Sequence, residues 1–262
     1  MGVVNVTPDS FSDGGRFLDP EAAVRQGIEL VEAGADVLDI GGESTRPGSD
    51  AVSAAEEIDR VVPVVKRLAA EVDVPVSIDT RKAGVAAAAL DVGAAIVNDV
   101  SAGRDDPRML EVVREAGAGL VLMHMLGDPK TMQADPRYDD VVAEVREFLA
   151  ERVRAAEEAG IERDRLCVDP GIGFGKTLRH NLLLLRHVDA FREIGVPVLV
   201  GPSRKSFIGA LTGAEAGDRL EGTAGAVAWL AAKGVEMVRV HDVREMLRVV
   251  QVVDAIVRAG DG

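Results

Sequence analysis

Acidic, amide and basic side chains stand where the strand-like segments of this sequence end. The clearest case is the run from Leu166, which stays apolar until it meets Asp169 and Pro170. Carboxylates and an amide at such ends would present several acceptors to a flat heterocycle that carries N–H donors. Cations after the last two segments predict an anion beside that ring. The residues that close the segments are Asn5, Gly41 to Glu43, Asp79, Asn98, His124, Asp169, Arg204 with Lys205, and Arg239 with His241.

The glycine-rich stretch after Asp169 predicts a tight turn rather than a nucleotide site. A Walker phosphate loop requires glycine where Pro170 stands, and a dinucleotide fingerprint requires glycine where Lys176 stands. Three alternate glycines between these two residues would let the backbone turn sharply and pass close beneath a flat ring.

Each of these polar residues also has a purely structural explanation. Asp79 and Asp169 could cap helix N-termini, and the segment Asn98-Asp99-Val100-Ser101 could be a turn and cap. The lysine and arginine after the seventh segment could be solvated charges, and His241 could be a satisfied core histidine. The four histidines show no metal-ligand spacing. Because all these polar residues follow the C-terminal ends of predicted strands, we expect them to lie close together, which favours a binding site.

Strand-like and helix-like segments alternate along the whole chain, which predicts crossover helices around a parallel sheet. Eight such units in one domain across residues 1–262 predict an α/β fold of the (β/α)₈ barrel type, with its active site at the C-terminal face of the strands. A doubly wound open sheet is the alternative. The predicted strands are residues 3–6, 36–40, 75–78, 95–97, 119–123, 166–169, 197–200 and 236–240. The predicted helices begin after Asp19 and near residues 53, 83, 107, 138, 178, 219 and 243, and the one that begins at 178 extends to residue 194. A glycine-rich segment leads into the helix at 219.

Two long polar loops follow the first two strands on the same face of the barrel. Loops of this length in a compact barrel are more often lids or binding loops than disordered segments. Phe11 in the first loop and Arg46 in the second would supply an apolar and a charged contact for a second substrate.

The net charge and the cysteine count argue against several kinds of partner and cellular compartment. A net charge of −14 and a pI near 4.8 argue against nucleic acid and anionic membranes as partners. The single cysteine, Cys167, excludes an internal disulfide and indicates a reducing compartment, with an inert buried thiol. No signal peptide and no apolar segment of membrane-spanning length is evident. We therefore expect a cytoplasmic protein.

Seven motifs, in order, closely resemble those of the dihydropteroate synthases. They open at Asn5, Gly41, Ser77, Asn98, Asp169, Ser203 and Arg239, and they read NVTPDSFSDGG, GGESTRPG, SIDT, NDVS, DPGIGF, SRKS and RVHD. Because the motifs are spread over essentially the whole chain, their joint match is far more specific than any one glycine pattern.

The resemblance implies a transferase of alkyl groups in folate biosynthesis. Such an enzyme joins 4-aminobenzoate to 6-hydroxymethyl-7,8-dihydropterin diphosphate, giving 7,8-dihydropteroate and diphosphate. It also implies Mg²⁺ as a cofactor, small-molecule substrates, and a homodimer formed through helices far from the mouth. We expect an SN1-like substitution in which the diphosphate leaves before the amine attacks.

Residue roles carried over from the resemblance fall into four groups. Asp79, Asn98, Met123, Asp169, Phe174 and Lys205 would bind the pterin. Asn5, Arg239 and His241 would hold the diphosphate, with Asn5 also a ligand of Mg²⁺. Thr45, Arg46, Ser206 and Phe11 would contact the aminobenzoate. Asp79, Lys205, Asp9 and Asp13 would take part in catalysis.

The sequence departs from the family pattern at two points, and two other functions are also compatible with it. The first strand begins close to Met1, so Asn5 could be held less firmly, and Pro202 replaces a small residue and could stiffen the loop that carries Lys205. One rival is a methyltetrahydrofolate-type methyltransferase, which would not need the Ser203 motif or a diphosphate site. The other is a paralogue that binds a pterin without synthase activity.

Overall fold

The computed structural model describes residues 1–7, 20–44, 52–128 and 130–259. Eight short parallel strands form the centre of the fold, each followed by helical structure. Their hydrogen-bonded order is β1 to β6 in one sheet and β7 with β8 in a second. The strands are β1 (Gly2–Asn5), β2 (Leu38–Gly41), β3 (Val76–Asp79), β4 (Ile96–Asp99), β5 (Gly119–Met123), β6 (Leu166–Asp169), β7 (Leu199–Val200) and β8 (Met237–Val238).

Two isolated bridges join the two sheets into a closed barrel. Val168 at β6 pairs with Val198 beside β7, and Gly2 in β1 pairs with Val240 after β8, both in parallel. The terminal ammonium of Met1 donates to Val238 O at 3.0 Å. The (β/α)₈ prediction is confirmed, and the open-sheet alternative is wrong because none of the strands in the described residues is left at an edge. β1 is bonded to β2 through Asn5 and to the segment after β8 through Met1 and Val3, and the expectation that Asn5 is held less firmly stays a prediction.

Helices cover the outside of the barrel, and most begin near the predicted positions. Ser53 caps α2 and Asp140 caps α5 by accepting backbone N–H groups of the first turn. The helices are α1 (Pro20–Glu32), α2 (Ala54–Glu71), α3 (Ala83–Asp91), α4 (Met109–Ala116), α5 (Val141–Glu158), α6 (Leu178–Arg186), α7 (Asp189–Arg192), α8 (Ser206–Thr212), α9 (Leu220–Ala232) and α10 (Val243–Arg258).

Two features of the helical layer differ from the sequence prediction. The single helix expected over 178–194 is two helices, because the backbone leaves the helical conformation at His187 (φ −107°, ψ 30°) before α7 begins. The glycine-rich segment after Lys205 contains a further helix, α8, which ends at Gly213 with φ 77°. Among the described residues, no helix has the length and apolar character needed to cross a membrane.

The core has an outer and an inner part because successive strand residues point to opposite faces. Leu38, Ile40, Leu122 and Val168 pack outward against the helices. The base of the barrel interior is filled by a separate apolar cluster, which we call the base layer: Met1, Val37, Val121 and Leu199, with Ile96, Cys167 and Met237 against them. Burial raises the pKa of the Cys167 thiol to about 12, which agrees with the predicted inert thiol.

Candidate active site

Asp79 and Asn98 meet at the mouth of the barrel because they end adjacent strands. Asp79 pairs in register with Gly41 on one side and with Asn98 on the other. Both side chains are largely buried, and Asn98 is 4% exposed. α3 begins after Lys82, with no side-chain cap, so the helix-cap explanation for Asp79 is wrong. Asp79 is part of the mouth.

An ion-pair network lies beneath these residues and includes an aspartate that the sequence analysis missed. Arg239 donates from Nε to Asp39 Oδ2 at 2.6 Å and from Nη2 to Asp79 Oδ2 at 2.9 Å. Asn98 Nδ2 also donates to Asp39 Oδ2, at 3.0 Å. Arg239 is therefore held between two carboxylates. Its proposed diphosphate contact stays a prediction.

Burial changes the acid–base behaviour of the two strand-end carboxylates. The pKa of Asp79 is raised to about 7, first by burial and then by the nearby Asp39 carboxylate, although Arg239 opposes the shift. The pKa of Asp169 is raised to about 6 by burial, which the backbone N–H of Gly171 and the Lys205 ammonium oppose. Perturbed carboxylates that converge in one cleft are typical of a functional site.

Asp169 ends β6 and fixes the turn that follows it. Its Oδ1 accepts the backbone N–H of Gly171 at 2.7 Å. α6 begins later, and its cap is Thr177, which exchanges hydrogen bonds with His180. The helix-cap explanation for Asp169 is therefore wrong as well.

The three alternate glycines all adopt positive φ, as the tight turn requires. The space where a side chain would stand is already occupied by other protein atoms at each of them. A β-carbon at Gly171 (φ 68°) would collide with the carbonyl oxygen of His124, and one at Gly175 (φ 65°) would lie 2.6 Å from Leu126 Cβ. At Gly173 it would lie 3.2 Å from the Lys205 side chain. The predicted glycine floor beneath a ring is thus better explained by close packing of this loop against the loop after β5.

Lys176 locks these two loops together from inside the protein. It is 3% exposed, and its Nζ lies 2.9 Å from His124 Nδ1 and 2.9 Å from Phe174 O, to which it donates. Burial lowers the pKa of Lys176 to about 7. Burial, with the charge of Lys176, also lowers the pKa of His124 and keeps its ring neutral. In the sequence, Lys176 stands out only because it breaks the glycine pattern of a dinucleotide fingerprint.

An apolar wall with a cation above it completes the mouth. Met123 packs with Val100, Met125 and Met132, and Phe174 lies against them. Lys205 Nζ lies 4.1 Å from the centre of the Phe174 ring, a cation–π distance. These three predicted pterin-binding residues, Met123, Phe174 and Lys205, are therefore adjacent in space.

The loop after β7 and the segment after β8 meet at Ser203 and His241. His241 donates its backbone N–H to Ser203 Oγ at 3.2 Å, and Ser203 Oγ lies 2.9 Å from His241 Nδ1. Burial and the charge of Arg239 lower the pKa of His241 to about 4, so its ring is neutral at pH 7. A Ser203 hydroxyl that donates to Nδ1 leaves Nε2–H as the donor of the ring.

The barrel and its mouth match a known group of enzymes. The family model described as pterin binding enzyme matches residues 1–241. Dihydropteroate synthase of Escherichia coli (strain K12) is 45% identical over 259 residues, which cover 99% of this chain and 92% of that protein. The chain belongs to the dihydropteroate synthase family.

Two solved structures from this family have the same fold. Dihydropteroate synthase of Xanthomonas albilineans with 4-aminobenzoic acid superposes with a TM-score of 0.92 at 50% identity, covering 97% of this chain and 91% of that one. The same enzyme in complex with 7,8-dihydropteroate gives a TM-score of 0.88 at 48% identity, with 97% and 92% covered.

The remaining predicted site residues fall into two groups. Asn5 ends β1 beside Gly41 and is partly buried, while Ser206 is exposed at the first turn of α8. Arg204 turns to the surface, where its guanidinium pairs with Asp242 at 2.5 Å and 3.1 Å. The residues predicted on the first two loops lie outside the described residues: Asp9, Phe11, Asp13, Thr45 and Arg46.

Asp99, next to Asn98, has a structural role that the sequence analysis left open. Its carboxylate accepts from Ser101 N, Ser101 Oγ and Gly103 N at 2.7–2.8 Å, which fixes the loop after β4. The turn explanation therefore applies to Asp99, whereas Asn98 belongs to the mouth.

Proposed function

We propose that this protein joins 4-aminobenzoate to 6-hydroxymethyl-7,8-dihydropterin diphosphate and releases 7,8-dihydropteroate and diphosphate. It is then a transferase of alkyl groups in folate biosynthesis. The proposal is carried by one observation, the convergence of Asp79, Asn98 and Asp169 with Phe174 and Lys205 in a single barrel mouth. The ligands of the related X. albilineans structures, 4-aminobenzoic acid and 7,8-dihydropteroate, support it.

The pterin ring would bind between the apolar wall and the acceptors of the mouth. Asp169, with one oxygen fixed by Gly171, would accept from the ring N–H and the exocyclic amine. Asn98 and Asp79 would hold the other edge of the ring, and Met123 and Phe174 would contact its faces. Lys205, above Phe174, would reach the oxygen and nitrogen side of the ring.

The diphosphate would lie on the β1, β7 and β8 side of the mouth. A neutral His241 whose Nδ1 is occupied by Ser203 offers Nε2–H to a phosphate oxygen. Arg239 has further N–H donors besides the two that it gives to carboxylates. These donors would stabilise the charge that grows on the departing group.

The residues near Asn5 fit a magnesium ion that is held mainly by substrate. Among the described residues, no group of three or more His, Cys, Asp or Glu side chains could hold a metal ion by itself. Mg²⁺ keeps several waters and commonly binds one or two protein oxygens plus substrate phosphates, and Asn5 offers such an oxygen. When bound, Mg²⁺ would supply positive charge to the leaving diphosphate.

The chemistry would proceed by departure of the diphosphate before attack of the amine. The bond from the pterin methylene to the diphosphate oxygen breaks with both electrons on oxygen, which leaves a cation on the methylene. The ring and the Asp79 carboxylate would stabilise that cation, and the aromatic amine of 4-aminobenzoate would then attack it and lose a proton. Asp9, Asp13, Phe11, Thr45, Arg46 and Ser206 are proposed to complete this side of the site.

Product formation tests the function directly. The protein is incubated with Mg²⁺ and the pterin diphosphate, with and without 4-aminobenzoate, and diphosphate and dihydropteroate are measured. We expect both products only in the complete mixture, and loss of turnover on adding EDTA that excess Mg²⁺ restores. If no dihydropteroate forms, the synthase function is wrong. An inactive paralogue would bind the pterin without turnover.

A homodimer is proposed as the assembly, and the outer helices support it. The last turns of α10 expose Val252 (60%), Ile256 (68%) and Val257 (55%), and Trp229 on the adjacent α9 is 44% exposed. Apolar residues clustered this way mark interaction surfaces. Light scattering of the purified protein, compared with Ile256→Glu, tests the dimer, and a monomeric wild type would exclude it. A cytoplasmic location stays a prediction, which cell fractionation can check.

A further inference from the structure

We infer that Asp39 is a positioning residue that sets which atom of Asn98 faces the pterin pocket and fixes Arg239 beside Asp79. The inference rests on the proposed function and deepens it. It explains how the mouth comes to present acceptors, rather than a mixture of donors and acceptors, to the ring.

Asp39 lies deeper in the barrel than the residues it would position. It is in the middle of β2, in register with Ser77, whereas Asp79 is in register with Gly41 two residues further along. Two strand residues correspond to about 7 Å of depth along the strand. The side chain of Asp39 is completely buried. It therefore supports the mouth from below.

The hydrogen bond from Asn98 to Asp39 gives the amide one orientation. Asn98 Nδ2 donates down to Asp39 Oδ2 at 3.0 Å, so the amide oxygen is on the opposite branch and faces the mouth. A carboxylate can only accept, which excludes the flipped amide at this position. An isolated asparagine amide could donate or accept, but with Asp39 below it the Asn98 amide offers an acceptor to the mouth.

The same oxygen of Asp39 also fixes the guanidinium of Arg239. Nε of Arg239 bonds Asp39 Oδ2 at 2.6 Å, which directs Nη2 to Asp79 Oδ2 at 2.9 Å. A planar fork with one anchored nitrogen has little freedom left. Asp39 thus sets the position of a cation next to the carboxylate that would face the reacting methylene.

Stability alone does not account for a carboxylate at this depth. Asp39 Oδ1 has no hydrogen-bond partner among the described residues, and the same is true of Ser77 Oγ in the neighbouring strand. Buried polar atoms without partners destabilise a fold, and apolar residues fill the base layer just below. The position of Asp39 therefore indicates a role in the site above it.

Removal of the acceptor tests the orientation. In Asp39→Leu, a side chain of similar size can no longer accept from Asn98 or Arg239, so we expect the Kd for 6-hydroxymethyl-7,8-dihydropterin, measured by calorimetry, to rise about ten-fold or more. In the matched variant Asp39→Asn, the amide oxygen can take the place of Oδ2 and still accept from both donors. We expect Asp39→Asn to bind the pterin at least about five-fold better than Asp39→Leu.

Further measurements separate this role from general loss of structure and from failure of the proposed function. Ser77→Ala, which removes a neighbouring buried oxygen, should leave the pterin Kd within about two-fold. The KM for 4-aminobenzoate should change less than the pterin Kd in each variant that keeps a wild-type thermal melting curve. A Kd for Asp39→Leu within two-fold of wild type, or an Asp39→Asn variant that binds no better than Asp39→Leu, would overturn the inference. Lack of turnover in the wild type would instead overturn the function.

Discussion

The base layer and the mouth lie at different depths of the same barrel interior and differ in the polarity of their side chains. At the base, side chains such as Val121 and Leu199 are buried among apolar neighbours. Asn98 and Asp169 follow the base-layer residues Ile96 and Cys167 by two positions, and Asp79 lies beside Asn98; the pKa values of both aspartates are raised. The base layer therefore contributes mainly to stability. In the mouth, buried charged groups lower the stability of the fold but provide the contacts for a substrate.

The largest effect is expected from Asp169→Asn at the mouth. The amide keeps the shape of the side chain but has one acceptor oxygen and no charge, so the charge-assisted pair of hydrogen bonds to the ring N–H and the exocyclic amine is lost. We expect kcat/KM to fall about 10²- to 10⁴-fold while the melting temperature stays near that of wild type. Steady-state kinetics and thermal melting check this. Turnover within ten-fold of wild type would contradict the role of Asp169.

The opposite pattern is expected from Leu199→Ala in the base layer. Leu199 is fully buried in that cluster, so its truncation removes apolar contacts and leaves a cavity. The free energy of unfolding should fall by about 2–5 kcal/mol, measured in urea, with kcat/KM at 25 °C within about two-fold of wild type. A large kinetic defect with unchanged stability would show that the two layers are not separate in function.

Within the mouth, Asp79→Asn is expected to separate the chemical step from pterin binding. The substitution removes the negative charge that would stabilise the methylene cation, while Arg239 keeps Asp39 as a partner. We expect kcat to fall about 10- to 100-fold, with a smaller change in the pterin Kd. Single-turnover kinetics provide the measurement, with Ser77→Ala on the same strand as control. A kcat within a few-fold of wild type would contradict the electrostatic role.

The smallest effect is a pH dependence of stability at the mouth. Burial raises the pKa of Asp169 from 3.8 to about 6, so its protonated form favours the native state below pH 4 and this contribution is lost as pH rises through about 6. Asp169→Asn does not titrate. Urea unfolding at pH 4.5 and 7.5 should therefore show wild type losing about 2 kcal/mol relative to the variant. A constant difference between them would exclude the raised pKa.

The sequence predicted the order and ends of the elements because their signals are local. The alternation of strands and helices gave eight strands near the observed positions, and Ser53 caps a helix that begins at the next residue. The break between α6 and α7 was missed because residues 178–194 read as one continuous apolar pattern. The short helix α8 was missed because Gly209 and Gly213 make its segment resemble a loop.

The sequence alone determined which polar groups would reach the mouth, because the C-terminal ends of all parallel strands lie at the same end of a closed barrel. Asp79, Asn98 and Asp169 could therefore be selected without coordinates. Only the tertiary structure revealed Asp39, whose partners Asn98 and Arg239 are 59 and 200 residues away. A single aspartate inside an apolar strand gives no local signal. Barrel closure brings it beneath the mouth, where its charge has a partner.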